Sequence, residues 1–366
     1  MTQADDTRDY LQLFLDDVPL MDTRAPVEFA RGAFPMAVNR PLMTDHEREQ
    51  VGICYKERGQ AAAIELGHDL VSGQAKQQRI EAWLDFCREH PDGYLYCFRG
   101  GMRSQICQQW LREAGCDYPR VIGGYKSMRR FLIDATESVT AAAEILVVAG
   151  HTGAAKTVLL EHHPGAIDLE DLAHHRGSAF GRRVGGQPSQ IDFENALAIA
   201  LLKRQHRRPG RPILLEDESR LIGRCALPLS LRERMQSAPL LVVEESLASR
   251  VDHTWRKYIL DKLWEWQAAH GEVEGFAAFS QDLRDSLYRI RRRLGGERFE
   301  HIGQIMDRAL REQVDGQAEL HREWIRELLE NYYDPMYEYQ MARQADRIRF
   351  RGTREEVQAF IERDCG

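Results

Sequence analysis

The sequence predicts an α/β protein with two domains built on parallel sheets and a helical extension at the C-terminal end. In the first third, short apolar runs alternate with segments whose apolar residues recur at helical spacing, which is typical of parallel α/β sheets. The alternation starts again near residue 137, and from about residue 246 the pattern is mostly helical. A chain of 366 residues has room for about two domains. We therefore divide it into 1–136, 137–250 and 251–366.

The first domain is predicted to contain three short strands separated by helices. The strands are expected in VPLMDTR (18–24), GYLYCF (93–98) and YPRVIGGY (118–125). Apolar residues at helical spacing predict one helix over 76–90. A second helix, over 104–115, is expected to stop at Gly115.

The second domain is predicted to contain four apolar strands. They are expected in EILVVAG (144–150), GAIDLE (165–170), RPILLEDES (211–219) and PLLVVEES (239–246), with a helix opening at TVLLEHH (157–163). Further helices are predicted over 280–296, 318–334 and 353–363. Ser280 is the expected N-cap of the first of these, and Thr353 with Glu356 forms a capping box for the last.

Composition and charge restrict the class of protein. The formal net charge is -7, so a nucleic-acid surface would have to come from local clusters of basic residues. No apolar run reaches the roughly 20 residues that span a bilayer, and the acidic start lacks the basic segment of a signal peptide. The seven cysteines include no C-x-x-C pair, which argues against disulfides and a zinc site. We expect a cytoplasmic protein that does not enter the membrane.

The segment YLYCFRGGMRSQ (94–105) predicts a catalytic cysteine in an anion-binding loop. Gly100 and Gly101 let backbone N–H groups turn inward as an anion nest, and the following helix points its positive end at the same place. Arg99 and Arg103 add positive charge, although either side chain could face outward. Together these groups would lower the pKa of the Cys97 thiol and make it a nucleophile. The alternative is a cysteine packed as a small apolar residue.

The segment GHTGAAKT (150–157) fits a phosphate-binding P-loop between a strand and a helix. Backbone N–H groups of Gly150, Gly153 and Ala155 would cradle phosphates, Lys156 would reach the terminal ones, and Thr157 would bind Mg²⁺. Ala155 stands where the motif usually has glycine.

An acidic cluster ends the later strand RPILLEDES. Asp217 and Glu218 are the predicted acidic residues, with Asp217 and Thr157 as the expected Mg²⁺ contacts, and Glu216 stands beside them. The alternative is a group of solvated carboxylates at a strand end.

Two basic clusters are candidates for binding nucleic acid. The predicted contact residues are Arg204, Arg207, Arg208, Arg289, Arg291, Arg292 and Arg293. Such clusters supply affinity by neutralising phosphates, and Tyr288 could stack on a base. The alternative is that each cluster is a solvated helix face paired with nearby Glu and Asp side chains.

The first domain resembles a rhodanese. The segment MDTRAPVEFARGAFPMAVNRP (21–41) is similar to the rhodanese pattern at Asp22, Arg24, Glu28, Phe29, Asn39 and Pro41. The resemblance places Cys97 where rhodaneses carry the persulfide-forming cysteine. The spacing C-x5-R is the longer loop form, shared with rhodanese-fold phosphatases, and it can surround a phosphate-sized group. Tyr96 stands where those phosphatases usually have histidine.

The fusion of such a domain to a P-loop domain resembles the bacterial tRNA 2-selenouridine synthase family. The segments that carry the resemblance are CFRGGMRS, GHTGAAKT, HRGSAFG, LLEDESRLIG and YYDPMYEYQ. The resemblance implies action on wobble 2-thiouridine in tRNAs for lysine, glutamate and glutamine. Sulfur is replaced by selenium from selenophosphate, for which selenophosphate synthase is a candidate source. A geranyl group from geranyl diphosphate first converts the thiocarbonyl sulfur into a leaving group.

The resemblance implies a division of labour between the two loops. Cys97 would handle selenium in the first domain, and the P-loop would hold the diphosphate of geranyl diphosphate with Lys156 and Mg²⁺. No tightly bound cofactor is expected. The rival interpretations are a sulfurtransferase or phosphatase fused to a nucleotide-binding regulatory domain, and an RNA-binding adaptor without catalysis. The sequence leaves open whether the P-loop binds geranyl diphosphate or a nucleoside triphosphate.

Overall fold

The computed structural model of the chain describes residues 5–161 and 163–365. The chain forms two compact units. The first unit is the chain up to Ser138 together with Ser189–Lys203, and the second is Val139–Pro188 together with the chain from Arg204 onwards. This division differs from the predicted one at 189–203, which the sequence analysis assigned to the second domain.

The helices and strands are numbered here along the chain. The helices are α1 (Tyr10–Leu15), α2 (Pro26–Ala30), α3 (Asp45–Leu70), α4 (Gly73–Glu89), α5 (Met102–Glu113), α6 (Gly124–Ala142), α7 (Lys156–Glu161), α8 (Leu169–Leu172), α9 (Gln190–Arg207), α10 (Leu229–Ser237), α11 (Leu247–Trp255), α12 (Lys262–His270), α13 (Glu272–Leu294), α14 (Gly296–Gln313), α15 (His321–Leu328), α16 (Asp334–Ala342) and α17 (Arg354–Cys365). The strands are β1 (Leu20–Asp22), β2 (Ala37–Asn39), β3 (Tyr94–Tyr96), β4 (Ile145–Gly150), β5 (Ala166–Ile167), β6 (Ile213–Glu216), β7 (Leu221–Ile222), β8 (Cys225–Ala226), β9 (Leu240–Val243) and β10 (Ile348–Gly352). Two π-helical segments, Arg256–Asp261 and Leu329–Tyr333, and two 3₁₀ turns, Ala318–Leu320 and Ala345–Arg347, complete the elements.

The first unit contains a small parallel sheet in the order β2-β1-β3. The register pairs Asp22 with both Asn39 and Tyr96, so the carboxyl ends of all three strands meet at one edge. Cys97 is the residue that follows Tyr96. The first part of α9 belongs to this unit because Asp192 accepts from the N–H of Ala33 (2.7 Å), and Asn195 donates to its carbonyl oxygen (2.7 Å).

The second unit contains a five-stranded parallel sheet in the order β10-β9-β4-β6-β5. Every residue of β4 and β9 is buried, as expected for parallel strands covered on both faces. Within the described residues, the predicted extension from 251 onwards is mainly helical, and its strand β10 joins this sheet beside β9. The prediction of two parallel α/β sheets with a helical C-terminal part is confirmed.

Three local predictions are wrong. YPRVIGGY forms only isolated bridges, Leu95 to Arg120 and Thr7 to Val121, because the chain turns at positive φ through Gly123 and Gly124 into α6. The strand predicted in GAIDLE covers only 166–167, since the Asp168 side chain caps α8 instead. Ser280 lies buried inside α13 because apolar packing continues before it and the helix begins at Glu272.

Two predicted helix ends are confirmed. α5 ends at Glu113, and Gly115 then adopts a φ of 83°. The capping box before α17 forms as Glu356 accepts from the N–H of Thr353 (2.8 Å), while Thr353 Oγ1 accepts from that of Glu356 (3.3 Å).

Candidate functional site

Cys97 lies at the start of the loop that joins β3 to α5. Its side chain is buried, and the thiol lies 3.3 Å from Ser104 Oγ and 4.0 Å from the carbonyl oxygen of Gly101. Ser104 Oγ also donates to the Gly101 carbonyl at 2.9 Å. The sulfur is therefore placed by both ends of the loop, and Ser104 is a contact that the sequence analysis missed although it directly follows Arg103.

The loop has the backbone geometry that an anion nest requires. Gly100 adopts a φ of 61°, and a Cβ atom there would lie 2.5 Å from the backbone nitrogen of Gly123. Within residues 5–161 and 163–365, the N–H groups of Arg99, Gly100 and Gly101 have no protein acceptor. These donors are the groups that would bind an oxyanion beside Cys97.

The two loop arginines have different surroundings. Arg103 Nη1 donates to Glu28 Oε2 at 2.6 Å, and the side chain of Arg99 is exposed. Although burial alone would raise the pKa of Glu28, the bond from Arg103 keeps that pKa below its usual value. Arg103 therefore carries its charge next to the loop but shares it with a carboxylate, which reduces the net positive charge that the sequence predicts.

A buried polar network lies beneath the loop. Arg24 and Asp22 form an ion pair of 2.6 Å with almost no solvent exposure, and the Tyr96 hydroxyl donates to Asp22 at 2.7 Å. The Arg24 guanidinium also lies 3.8 Å from the centre of the Tyr125 ring. The residues of the rhodanese-like pattern at 22–24 thus have a structural role, since they hold the end of β3 from which Cys97 starts.

The P-loop of the second unit follows β4, the central strand of the sheet. Lys156 Nζ donates to the carbonyl oxygens of Gly150 (2.9 Å) and His151 (3.4 Å). Over the described part of the chain, the N–H groups of Gly153, Ala155 and Lys156 have no protein acceptor. The loop therefore presents several donors and one ammonium group at the carboxyl edge of the sheet, where α/β proteins bind phosphates.

Two residues determine the path of this loop. Gly153 has a φ of 83°, and a Cβ there would lie 2.6 Å from Thr254 Oγ1. Ala155 has a φ of 56°, a left-handed conformation that its Cβ makes unfavourable. The chain thus keeps the backbone path of a glycine at Ala155 and accepts some strain there.

Three carboxylates meet next to the P-loop. One oxygen each from Glu170, Glu216 and Glu218 lies within 4.8 Å of the others. Burial, followed by repulsion from neighbouring carboxylates, raises the pKa of each to about 8. Glu216 Oε2 is buried without a hydrogen-bond partner among the described residues. This arrangement of hard oxygen ligands fits a divalent cation such as Mg²⁺.

The cation site differs from the one that the sequence predicts. Glu218 belongs to the group of three carboxylates, whereas Asp217 is exposed and lies outside it. Glu170 and Glu216 take the place expected for Asp217, and the Thr157 hydroxyl interacts with Glu216. Sequence reasoning did not choose Glu170 because it lies 46 positions before Glu216 in the chain.

The P-loop and the carboxylates line one cavity of about 590 Å³. Three segments that carry the family resemblance form its walls. Gly177 of HRGSAFG has no side chain, and a Cβ there would overlap Glu170. Asp334 of YYDPMYEYQ pairs with Arg250 (2.7 Å), which donates to the Thr152 carbonyl at 3.4 Å, so that segment supports the loop. The segment LLEDESRLIG supplies Glu216 and Glu218.

The structure places the predicted tRNA-binding arginines in different environments. Arg204 is buried and donates to the carbonyl oxygens of Gly165, Arg208 and Pro212, so its prediction as an RNA contact is wrong. Arg204 instead stabilises the turn between α9 and β6, because it binds carbonyl groups in that segment. Arg207 is exposed, and Arg208 is half-buried.

The second basic cluster lies at the C-terminal end of α13. Arg292 and Arg293 are exposed. Arg291 lies over the Tyr288 ring at 3.5 Å, and Arg289 donates to the Ala179 carbonyl at 2.9 Å. Arg292 and Arg293 are therefore the members best placed to meet a phosphate.

No helix within the described ranges is both long and apolar enough to cross a membrane.

Comparison with known proteins identifies the family. The model of the tRNA 2-selenouridine synthase AAA domain matches residues 143–365. Proteins named tRNA 2-selenouridine synthase from Hahella chejuensis, Azotobacter vinelandii and Ectopseudomonas mendocina are 61%, 57% and 55% identical to this chain. The matches cover 97%, 98% and 98% of this chain and 94%, 97% and 96% of those proteins. The chain belongs to the tRNA 2-selenouridine synthase family.

Proposed function

We propose that this chain converts 2-thiouridine at the wobble position of tRNA into 2-selenouridine. Its relatives are named for forming 2-selenouridine in tRNA, and they match nearly its whole length. The observation that supports this best is the combination in one chain of a cysteine loop with free N–H donors and a separate P-loop cavity. The two sites suit two successive reactions. The proposed substrates are the tRNAs for lysine, glutamate and glutamine that carry 2-thiouridine.

The first reaction is proposed for the P-loop cavity. The thiocarbonyl sulfur of the uridine forms a bond to C1 of geranyl diphosphate, the C1–O bond breaks, diphosphate leaves, and the uridine N3–H is released as a proton. Lys156 and the free N–H groups of Gly153 and Ala155 would bind the diphosphate and stabilise its developing charge. The alkylated sulfur is then a good leaving group, because it can depart as a thiol.

Glu170, Glu216 and Glu218 would hold Mg²⁺ in this cavity, with the Thr157 hydroxyl beside them. Bound there, the ion would neutralise charge on the diphosphate. These three glutamates and Lys156 would hold three carboxylates and one ammonium group next to the P-loop. Without a cation, the raised pKa values mean that these carboxylates hold protons near neutral pH.

The second reaction is proposed for the cysteine loop. Its net change converts S-geranyl-2-thiouridine, selenophosphate and water into 2-selenouridine, geranylthiol and phosphate. A C2–Se bond forms, while the C2–S and P–Se bonds break. Cys97 is proposed as the nucleophile that attacks C2 and expels geranylthiol, which leaves with the thiol proton; the selenium of selenophosphate then displaces the Cys97 sulfur from C2, and water cleaves the P–Se bond to give phosphate. The N–H groups of Arg99, Gly100 and Gly101 would bind the phosphate part.

The nucleosides of tRNA test this proposal. tRNA from cells that lack the protein should contain no 2-selenouridine, and the wild-type chain should restore it. Cys97→Ser should not restore it, although S-geranyl-2-thiouridine should still form. Because Cys107 is also buried but lies inside α5, Cys107→Ser is the matched control and should restore 2-selenouridine. Restoration by Cys97→Ser would remove the cysteine from the proposed reaction.

A further inference from the structure

The first unit contains an apolar cavity that none of the proposed steps uses. Its volume is about 320 Å³, and its walls come from α3, α5 and the segment after β2. The main apolar lining residues are Leu42, Met43, Val51, Ile64, Ile106 and Trp110. A volume of about 300 Å³ is at the lower end for small-molecule sites. The cavity is therefore suited to a small ligand with few polar atoms.

This cavity begins at the cysteine loop. Met102 and Arg103 line it. In the chain they stand between Gly101 and Ser104, the two residues whose oxygens lie 4.0 Å and 3.3 Å from the Cys97 sulfur. A ligand in the cavity thus ends next to the loop that carries the nucleophile. Met102 is 39% exposed, so this part of the lining is accessible to solvent.

A glycine leaves part of this space open. Gly67 lies in α3 and lines the cavity. A Cβ built there would meet only Val51 Cγ2, at 3.8 Å. A larger residue at this position of a helix would add to helix propensity and extend into the cavity.

The second unit offers less apolar space. The apolar cavity beside its P-loop, lined by Phe180, Trp324 and Leu328 among others, measures about 20 Å³. That volume is far smaller than the volume of about 320 Å³ in the first unit. The larger P-loop cavity is lined mainly by charged and polar groups. Of these three cavities, the one in the first unit, beside the cysteine loop, is both apolar and large enough for a ten-carbon chain.

We propose that the cavity of the first unit binds the isoprenoid chain of the S-geranyl intermediate during the selenium reaction. This inference rests on the proposed function, since it assigns a binding site to the isoprenoid chain of the proposed intermediate. With the chain in the cavity, the C2–S bond lies at the cavity mouth and C2 faces the Cys97 loop. The cavity then selects uridines that carry the geranyl group and holds geranylthiol as it leaves.

The test replaces Gly67 by residues whose side chains extend into the cavity. Gly67→Leu extends an apolar side chain into the space, whereas Gly67→Ala adds only the Cβ. Gly52→Leu is the matched control, because Gly52 lies exposed in the part of α3 before its kink at Gly59, with no atom within 4 Å of an added Cβ. Full-length proteins are incubated with 2-thiouridine tRNA, geranyl diphosphate and selenophosphate, and the nucleosides are measured by mass spectrometry.

Gly67→Leu should lower 2-selenouridine at least tenfold and accumulate S-geranyl-2-thiouridine, Gly67→Ala should have a smaller effect in the same direction, and the Gly52→Leu control should stay within twofold of wild type. Wild-type levels of 2-selenouridine in Gly67→Leu would overturn the inference. So would loss of both products at an unchanged melting temperature, because the cavity would then serve the first reaction. If the wild-type chain forms no S-geranyl-2-thiouridine, the proposed function itself fails.

A binding measurement gives a second readout, which does not depend on turnover. S-Geranyl-2-thiouridine and S-methyl-2-thiouridine share the alkylated sulfur and differ in the apolar chain. Calorimetry should show at least tenfold tighter binding of the geranyl nucleoside to the wild-type protein. Gly67→Leu should abolish that preference. Equal affinities for the two nucleosides in the wild-type protein would also overturn the inference.

Discussion

The cysteine loop and the P-loop are both glycine-rich connections between a parallel strand and a helix, yet their charges are arranged in opposite ways. In the first unit, each buried charge has a partner: Arg24 pairs with Asp22, and Arg103 pairs with Glu28. In the second unit, Glu170, Glu216 and Glu218 lie close together near the ammonium group of Lys156. The charges beside the cysteine loop are balanced, whereas the P-loop cavity has an excess of carboxylates.

This difference shows what each site requires from its ligands. A balanced loop with N–H donors can bind an anion without a cation, and the reaction proposed there would depend on the sulfur of Cys97. A cavity with three carboxylates must recruit protons or a cation before it can accept a diphosphate, since unscreened carboxylates would repel that group. The predictions below test this contrast, beginning with the largest expected effect.

Lys156→Ala should remove the first reaction. We expect a loss of S-geranyl-2-thiouridine formation of about 100-fold or more, the usual effect of deleting one donor to a developing anion. Lys257 lines the same cavity but pairs with Glu161, so Lys257→Ala is the matched control. It should retain most of the S-geranyl-2-thiouridine formation. Hydrolysis of ATP or GTP by the wild-type protein, lost in Lys156→Ala, would instead assign the P-loop to a nucleoside triphosphate.

Glu216→Gln should abolish stabilisation by Mg²⁺. A site that binds the ion only in the folded state adds about 2.7 kcal/mol to the free energy of unfolding when Mg²⁺ is at 100 times its Kd. We expect the rise in Tm on adding Mg²⁺ to disappear in this variant. Asp217→Asn should keep most of the rise, because Asp217 lies outside the group of three carboxylates. If Asp217→Asn abolished the rise in Tm and Glu216→Gln kept it, Asp217 would be the Mg²⁺ ligand, as the sequence predicts.

The same carboxylates predict how stability depends on pH in the presence of a chelator. Their pKa values in the folded protein are about 8, above the ordinary value of 4.5. Between these values the folded protein binds more protons than the unfolded chain, so the free energy of unfolding falls as the pH rises. Glu216→Gln should match wild type in Tm near pH 5 and exceed it near pH 8.5. A wild-type Tm that rises between these pH values, with no advantage for the variant, would contradict the prediction.

Arg293→Glu should weaken tRNA binding modestly. Arg293 is exposed at the end of α13, and removing one phosphate contact should reduce the salt dependence of binding by about one unit of slope. Arg311→Glu, an exposed arginine on α14, changes the net charge equally and is the control. Binding curves at several salt concentrations measure both variants. Equal slopes would remove Arg293 from the tRNA surface.

Ala155→Gly should have the smallest effect. Glycine tolerates a φ of 56° without strain, although it adds freedom to the unfolded chain, so the net change in the free energy of unfolding should stay within about 1 kcal/mol. Thermal unfolding should show a Tm equal to or slightly above that of wild type. A marked loss of stability would mean that the alanine methyl group contributes packing that outweighs its strain.

Both loops could be predicted from the sequence because each is continuous in the chain. The spacing from Cys97 to Arg103 and from Gly150 to Thr157 carries the whole pattern, and apolar runs before them mark the strands. The prediction failed where a residue's environment depends on distant segments. Arg204 looked like part of a basic surface, but carbonyl groups from Gly165 and Pro212 surround it.

The sequence alone determined the α/β class, the two glycine-rich loops and the family, since these depend on local spacing and on residue identity. The tertiary structure decided which carboxylates form a group at the P-loop, because parallel pairing of β4, β5 and β6 brings Glu170 near Glu216, whereas Asp217 lines the same cavity outside that group. It also decided that an apolar cavity opens beside Cys97. Residues of α3, α5 and the segment after β2 line that cavity together, and no local pattern in the sequence encodes how these segments meet.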